Sequence, residues 1–179
     1  MPYTEARKNM SVESLFLQYS VDKLKQFADR IEICLGKLNE EQIWARGHDS
    51  ENAIGNLVLH LTGNVRQWIV LTLGNKPFSR DRDAEFAARG AAGKHEMSRN
   101  LAGAVEQAAL VISGLTSSDL TRVFEVQNYQ VSGLEAVYHV IEHFAQHTGQ
   151  IIFATKMLTG DDLEFYGHLR NPVHDEQVP

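Results

Sequence analysis

His139-Val-Ile-Glu-His143-Phe-Ala-Gln-His147-Thr-Gly-Gln-Ile151 places a histidine at every fourth position of an apolar run. Residues four apart on an α-helix lie about 5–6 Å from each other on one face, so two of these imidazoles can grip one metal ion. The run belongs to a longer helical pattern, predicted over 132–158. Ser132 is the expected N-cap and Glu135 its partner at the third position, a capping box. Thr159-Gly160 is the expected stop. Leu134, Val137, Tyr138, Ile141, Phe144, Thr148, Ile151, Ile152 and Thr155 form the predicted apolar face. The histidines run along its edge, His147 nearest the apolar side, His143 next and His139 furthest round.

Upstream, three more segments carry the three-to-four spacing of an amphipathic helix. The first is predicted over 11–38, with Leu24, Phe27, Ile31 and Leu35 in its stripe and Cys34 a small buried side chain on its flank. The second is predicted over 51–73, entered from an N-cap at Ser50 and ended by Gly74-Asn75-Lys76-Pro77. Its stripe is Ile54, Leu57, Val58, Leu61, Val65, Trp68 and Ile69, and His60 falls just beyond the edge, beside Asn64 and Gln67. The third is predicted over 98–113, where Gly103 would allow a close helix contact. Residues 78–97 read as a long charged connection with a short helix near Asp81–Ala88, and His95 within it as solvated. Alternation in 120–131 predicts a short hairpin turning near Asn128. Four long helices make the expected fold an all-α four-helix bundle with a hairpin before the last helix. The chain is expected to be a single domain over 1–179, with a core of about 11–158 and a polar tail of 159–179. Phe165-Tyr166 is expected to fold back over the bundle and the last residues to lack order.

Composition bounds the partners. The chain has 179 residues and a formal net charge of −6, with no Lys/Arg-rich run, which argues against nucleic-acid binding. No apolar run reaches the roughly 18 residues of a membrane span, and Met1–Met10 lacks the apolar centre of a signal peptide. Cys34 is the single cysteine, which excludes an internal disulfide and suits a cytoplasmic location.

Spacing then sorts the metal chemistry. The di-iron carboxylate pattern needs Glu-x-x-His on two helices, and the chain contains none. His139-Val-Ile-Glu142-His143 matches the inverted zinc-protease pattern literally, but only a short polar tail follows where such enzymes place a distant ligand. A site of three histidines fits better: His143 and His147 from the last helix and His60 from the second. Three neutral imidazoles favour zinc, nickel, iron(II) or copper, and leave a coordination position open. On spacing alone, a row of partly exposed helix histidines without metal stands beside that reading. Gln150, Asn64, Gln67 and Gln146 are candidates to orient the histidines, Gln150 first. His139 is expected near the pocket mouth and Glu142 in solvent.

His143-Phe-Ala-Gln-His147-Thr-Gly-Gln-Ile151 resembles the His-x-x-x-His-x-Gly-Gln-Ile signature of the DinB/YfiT-like metalloenzyme superfamily, and Leu57-Val-Leu-His60-Leu-Thr-Gly-Asn64 occupies the place of its first ligand. The sequence around the signature is most similar to the DUF1572 subgroup. The resemblance implies a divalent metal, nickel or zinc, held by His60, His143 and His147, and a homodimer. It further implies a thiol S-transferase that uses a low-molecular-weight thiol on small electrophiles, with a non-catalytic, stress-associated metal-binding bundle as the alternative. The basic residue usual after the second signature histidine is Thr148 here, so substrate recognition does not carry over simply.

Overall fold

A computed structural model describes residues 9–90 and 92–170. Helix α1 spans Val12–Lys37, α2 Glu40–Ile43 and α3 Ile54–Val65. A wider π-helical segment, Arg66–Leu73, continues α3 without a break. Helix α4 spans Arg82–Ala87, α5 Lys94–Ser113 and α6 Ser117–Thr121. Strands β1 (Val123–Val126) and β2 (Tyr129–Ser132) lead into α7, Gly133–Thr159. The four long helices pack as a bundle in which α1 lies between α5 and α7, and α3 packs against the same two from the other side. The all-α bundle with a small hairpin is therefore the observed architecture.

Each stripe is buried for the reason its spacing gives. Leu24, Ile31, Cys34 and Leu35 of α1 meet Leu101, Val105, Ala108 and Ile112 of α5, and Val137, Val140, Phe144 and Ile151 of α7, in one apolar cluster. Burying a side chain of this size contributes about 1.5–3 kcal/mol. Leu163 joins the cluster, and Phe165 and Tyr166 fold back to hold the Arg30 guanidinium over their rings. The expectation of disorder at the chain end falls on 171–179, outside the described residues.

Local chemistry fixes α7 as expected. The Ser132 hydroxyl accepts from the Glu135 N–H, Glu135 Oε2 accepts from the Ser132 N–H at 2.7 Å, and Gly160 ends the helix at φ +73°. The hairpin is antiparallel, with Phe124 opposite Val131 and Val126 opposite Tyr129. Gln127 and Asn128 both take positive φ in its two-residue turn, the geometry that matches strand twist.

Several boundaries differ from the sequence expectation. Helix α3 begins at Ile54, not near 51, because the Asn56 side chain accepts from the Ala53 N–H and fixes the first turn there. Ser50 and Glu51 stay in the loop, where Glu51 takes the Gly47 N–H. Helix α5 begins at Lys94, not Ser98, since Glu40 of α2 accepts the Lys94 N–H from across the bundle. Gly103 is exposed with no neighbour within 4 Å and mediates no close contact. Leu134 and Tyr138, assigned to the apolar face of α7, are exposed; Ala136 and Val140 take the core side. The rest of the predicted face, Val137, Phe144, Thr148, Ile151 and Thr155, is buried or packed on the core as expected, so the difference lies at the border of the face.

Candidate metal centre

His60 reaches the site from the middle of α3, and His143 and His147 reach it from successive turns of α7. The bundle sets these two helices side by side, so residues 83 positions apart in sequence place their Nε2 atoms 2.8 Å from each other. His143 and His147 cross at a ring separation of 4.5 Å, and His60 and His147 at 5.3 Å. One ring nitrogen from each of the three lies within 4.8 Å of the others. Zinc-type ions bind imidazole at about 2.0–2.1 Å, which sets tetrahedral ligands roughly 3.4 Å apart. The observed donor spacings, from 2.8 Å to at most 4.8 Å, bracket that value. The residue types and their geometry fit a divalent ion.

Protonation favours ligation as well. Burial lowers His143 to about 3, helped by the like charges of His147, His60, His139 and Arg80. Burial also lowers His147, partly opposed by its bond to Gln150. Neutral imidazoles are the forms that bind metals.

His60 is not the border residue its wheel position suggested. It is 5 % exposed, because α4 and the segment before it cover that side of α3. The Glu85 carboxylate lies 3.0 Å from His60 Nδ1. Arg80 clamps the same carboxylate with two 2.7 Å bonds, Nε to Oε1 and Nη2 to Oε2. Burial pushes Glu85 up, but the hydrogen bonds from Arg80 and His60 and the charge of Arg80 outweigh it and hold Glu85 below the ordinary carboxylate range. An ionised carboxylate only accepts, so Nδ1 of His60 carries the proton and donates it to Glu85, leaving the Nε2 lone pair toward His143. Arg80 Nη2 also lies 3.1 Å from that nitrogen; with Nδ1 protonated this is a close approach between donors, and the pair of bonds to Glu85 holds it.

Two features of α3 seat the carboxylate. Asn56 Nδ2 donates to the carbonyls of Glu85 (2.8 Å) and Ala88 (3.1 Å), tying α4 to α3. Gly63, three residues after His60, leaves room for the ion pair: a Cβ there would overlap the Glu85 carboxylate and come within 2.8 Å of Arg80 Nε. The sequence reading missed Glu85 and Arg80. Their signal was a charged run, Arg80 to Glu85, inside a connection too long to be a plain linker.

Of the four proposed orienting residues, Gln150 does the work assigned to it: its Oε1 lies 2.6 Å from His147 Nδ1. Gln67 instead accepts from Arg80 Nη1 (3.0 Å) and from Gln127 Nε2 at the hairpin turn (2.8 Å). Asn64 is buried beside the site, with its Oδ1 unpartnered. Gln146 is exposed and orients nothing. Glu142 is exposed, as expected. His139 is half-buried, its ring 4.1 Å from Trp68 and 5.5 Å from His143; it lines the wall beside the cluster and is not one of the three. Cys34 is fully buried in the core.

A cavity of about 460 Å³ opens against the cluster. Trp68, from the π-helical segment, and Tyr129 and Val131, from the hairpin, form its apolar wall; Asn64, Gln127, Arg82 and Glu135 supply polar groups. π-Helical turns inside α-helices recur at functional sites, and this one buries Trp68, Ile69 and Val70 in succession. Among the described residues no cysteine or carboxylate joins the three histidines. No helix among those residues is long and apolar enough to cross a membrane.

Comparison with known proteins places the chain in a family. The model of the family described as "Protein of unknown function (DUF1572)" matches residues 11–171. No curated protein matches the chain. A conserved protein from Enterococcus faecalis has a similar structure at TM-score 0.67 and 16 % identity, covering 85 % of this chain and 99 % of its own. A DinB-like protein from Bacillus cereus is similar at TM-score 0.63 and 15 % identity, covering 83 % of this chain and 93 % of its own.

Proposed function

This chain belongs to the DUF1572 family and has a DinB-like fold, and from that premise we propose that it is a divalent-metal-dependent enzyme whose metal is held by His60, His143 and His147. The observation that carries the reading is the convergence of three imidazoles beside a cavity, with no fourth protein ligand among the described residues to close the site. Open three-ligand sites are the catalytic kind. The expected metal is nickel or zinc. The expected reaction joins a low-molecular-weight thiol to a small electrophile. When bound there, the ion supplies a positive centre that favours thiolate over thiol.

The chain's own residues do the rest. Glu85 holds the Nδ1 proton of His60 and Gln150 that of His147, so both turn unprotonated Nε2 atoms to the centre. Trp68, Tyr129 and Val131 give an electrophile an apolar surface. Cys34 is buried away from the cavity, so the sulfur nucleophile comes from the thiol partner. A single-domain, cytoplasmic homodimer completes the proposal, supported by the resemblance and the lone cysteine.

Elemental analysis of untagged protein tests it first. Near one equivalent of metal is expected, lost in both His60→Ala and His147→Ala. No uptake after reconstitution with nickel or zinc would withdraw the metal reading. If metal binds but no thiol addition is accelerated across a panel of thiols and electrophiles, the bundle is a non-catalytic metal binder.

A further inference from the structure

We propose that Arg82 is the anion-recognition residue of the cavity, and that the ligand it takes is a small organic acid. The carboxylate sits on Arg82 and the apolar body lies along Trp68 and Tyr129. The inference rests on reading the histidine triad as a metal centre facing the same cavity, and it names the substrate class for that centre.

The two arginines of the cavity are used differently. Arg80 is 4 % exposed in its side chain and spends its donors on Glu85, Gln67 and the His60 carbonyl. Its charge is neutralised within the protein. Arg82 is solvent-exposed, lines the cavity, and has no carboxylate partner among the described residues. It is nevertheless positioned. Its guanidinium stacks over the Phe86 ring at 4.9 Å, and that ring stands 4.6 Å from His60. Phe86 thereby sets the Arg82 cation on the same side of the cavity as the His60 ring. A guanidinium presents a planar fork that matches a carboxylate in two hydrogen bonds, a match a lysine cannot reproduce.

The other charge on the cavity wall sharpens the placement. Glu135 also lines it, and its Oε2 is engaged by Ser132. Its negative charge repels an anion from the start of α7, which leaves the Arg82 side for the acid group. Trp68 and Tyr129, with ring centres 6.5 Å apart and tilted 33° to each other, offer the adjoining apolar surface.

Calorimetric titration of the full-length protein with benzoate and with its uncharged counterpart benzamide tests the proposal. Metal is first stripped with a chelator, so that no ion can hold the carboxylate. Benzoate is expected to bind wild-type protein at least about tenfold more tightly than benzamide, and Arg82→Gln to weaken benzoate by about tenfold or more. Arg82→Lys should restore only part of the loss. The same ranking is expected in zinc-loaded protein, where Arg82→Gln should keep the wild-type metal content. Equal binding of benzoate and benzamide, undiminished benzoate binding by Arg82→Gln, or no benzoate binding at millimolar concentration would each overturn the assignment. Failure of the metal reading appears separately, in the metal content.

Discussion

The two halves of the histidine cluster are built in different ways. On α7, His143 and His147 are one helical turn apart, half-buried, and aligned by local periodicity; one of them is steadied by Gln150, three residues on in the same helix. On α3, His60 is buried and braced from outside its helix by Glu85, which is clamped by Arg80, itself held by Gln67. One half is a local arrangement that any helix with that spacing offers. The other is a tertiary one, in which a buried charge pair holds a single imidazole in one tautomer. The contrast implies that the α3 half carries the stability cost of the site and the α7 half mostly its chemistry.

Removing Glu85 is the strongest way to break this contrast. Glu85→Ala leaves Arg80 buried without a counter-charge, and breaking one partner of a buried pair costs about 3–5 kcal/mol. Chemical denaturation of the metal-free protein should show a loss of that size, and metal affinity should fall by roughly ten- to a hundredfold. A change under about 1 kcal/mol would mean that the clamp is solvated and the two halves are alike.

Acid comes next, because it acts mainly on the α7 half. His143 is held near 3 in the folded protein, against about 6.5 in an unfolded chain. Between those values the unfolded chain binds more protons, so stability rises with pH: it is fully present above about 6.5 and is lost as pH falls toward 3. Burial lowers His147 and His139 in the same direction. Denaturation of metal-free protein at pH 7, 6 and 5 should show stability falling by up to about 1.4 kcal/mol per pH unit from His143, with His147 and His139 acting in the same direction. His143→Gln should flatten the slope. A level profile across that range would show that the α7 histidines are solvated.

Gln150→Ala should have the smallest effect. Gln150 is exposed, so stability should change by no more than about 0.5 kcal/mol, while metal affinity measured by competition with a chelator should fall by about tenfold. A loss of stability approaching that of Glu85→Ala would erase the distinction between the halves.

The parts of this protein that were legible in its sequence are those decided within one or two helical turns. Ser132 with Glu135 announced the start of α7 and Gly160 its end. The four-residue spacing put His143 and His147 on one edge, and Gln150 could be chosen because it shares that edge. The alternation at 120–131 marked a hairpin. Leu134 and Tyr138 were misplaced because a helical wheel gives the width of an apolar face, while the neighbours decide where its border falls.

The brace on His60 was not legible, since Glu85 lies 25 residues from it in a stretch whose alternating charges look like those of any solvated loop. Nothing in the local sequence marks Gly63 as the position where a Cβ would overlap that ion pair. The sequence by itself thus determined an all-α bundle and a pair of imidazoles poised on one helix, because backbone hydrogen bonding and helical periodicity act locally. His60 was named as their partner from its place in the second helix, but only the tertiary structure brought it against them, set Glu85 and Arg80 to hold it, and left Arg82 beside it with no carboxylate partner among the described residues, because desolvation and charge pairing depend on which distant segments the fold brings together.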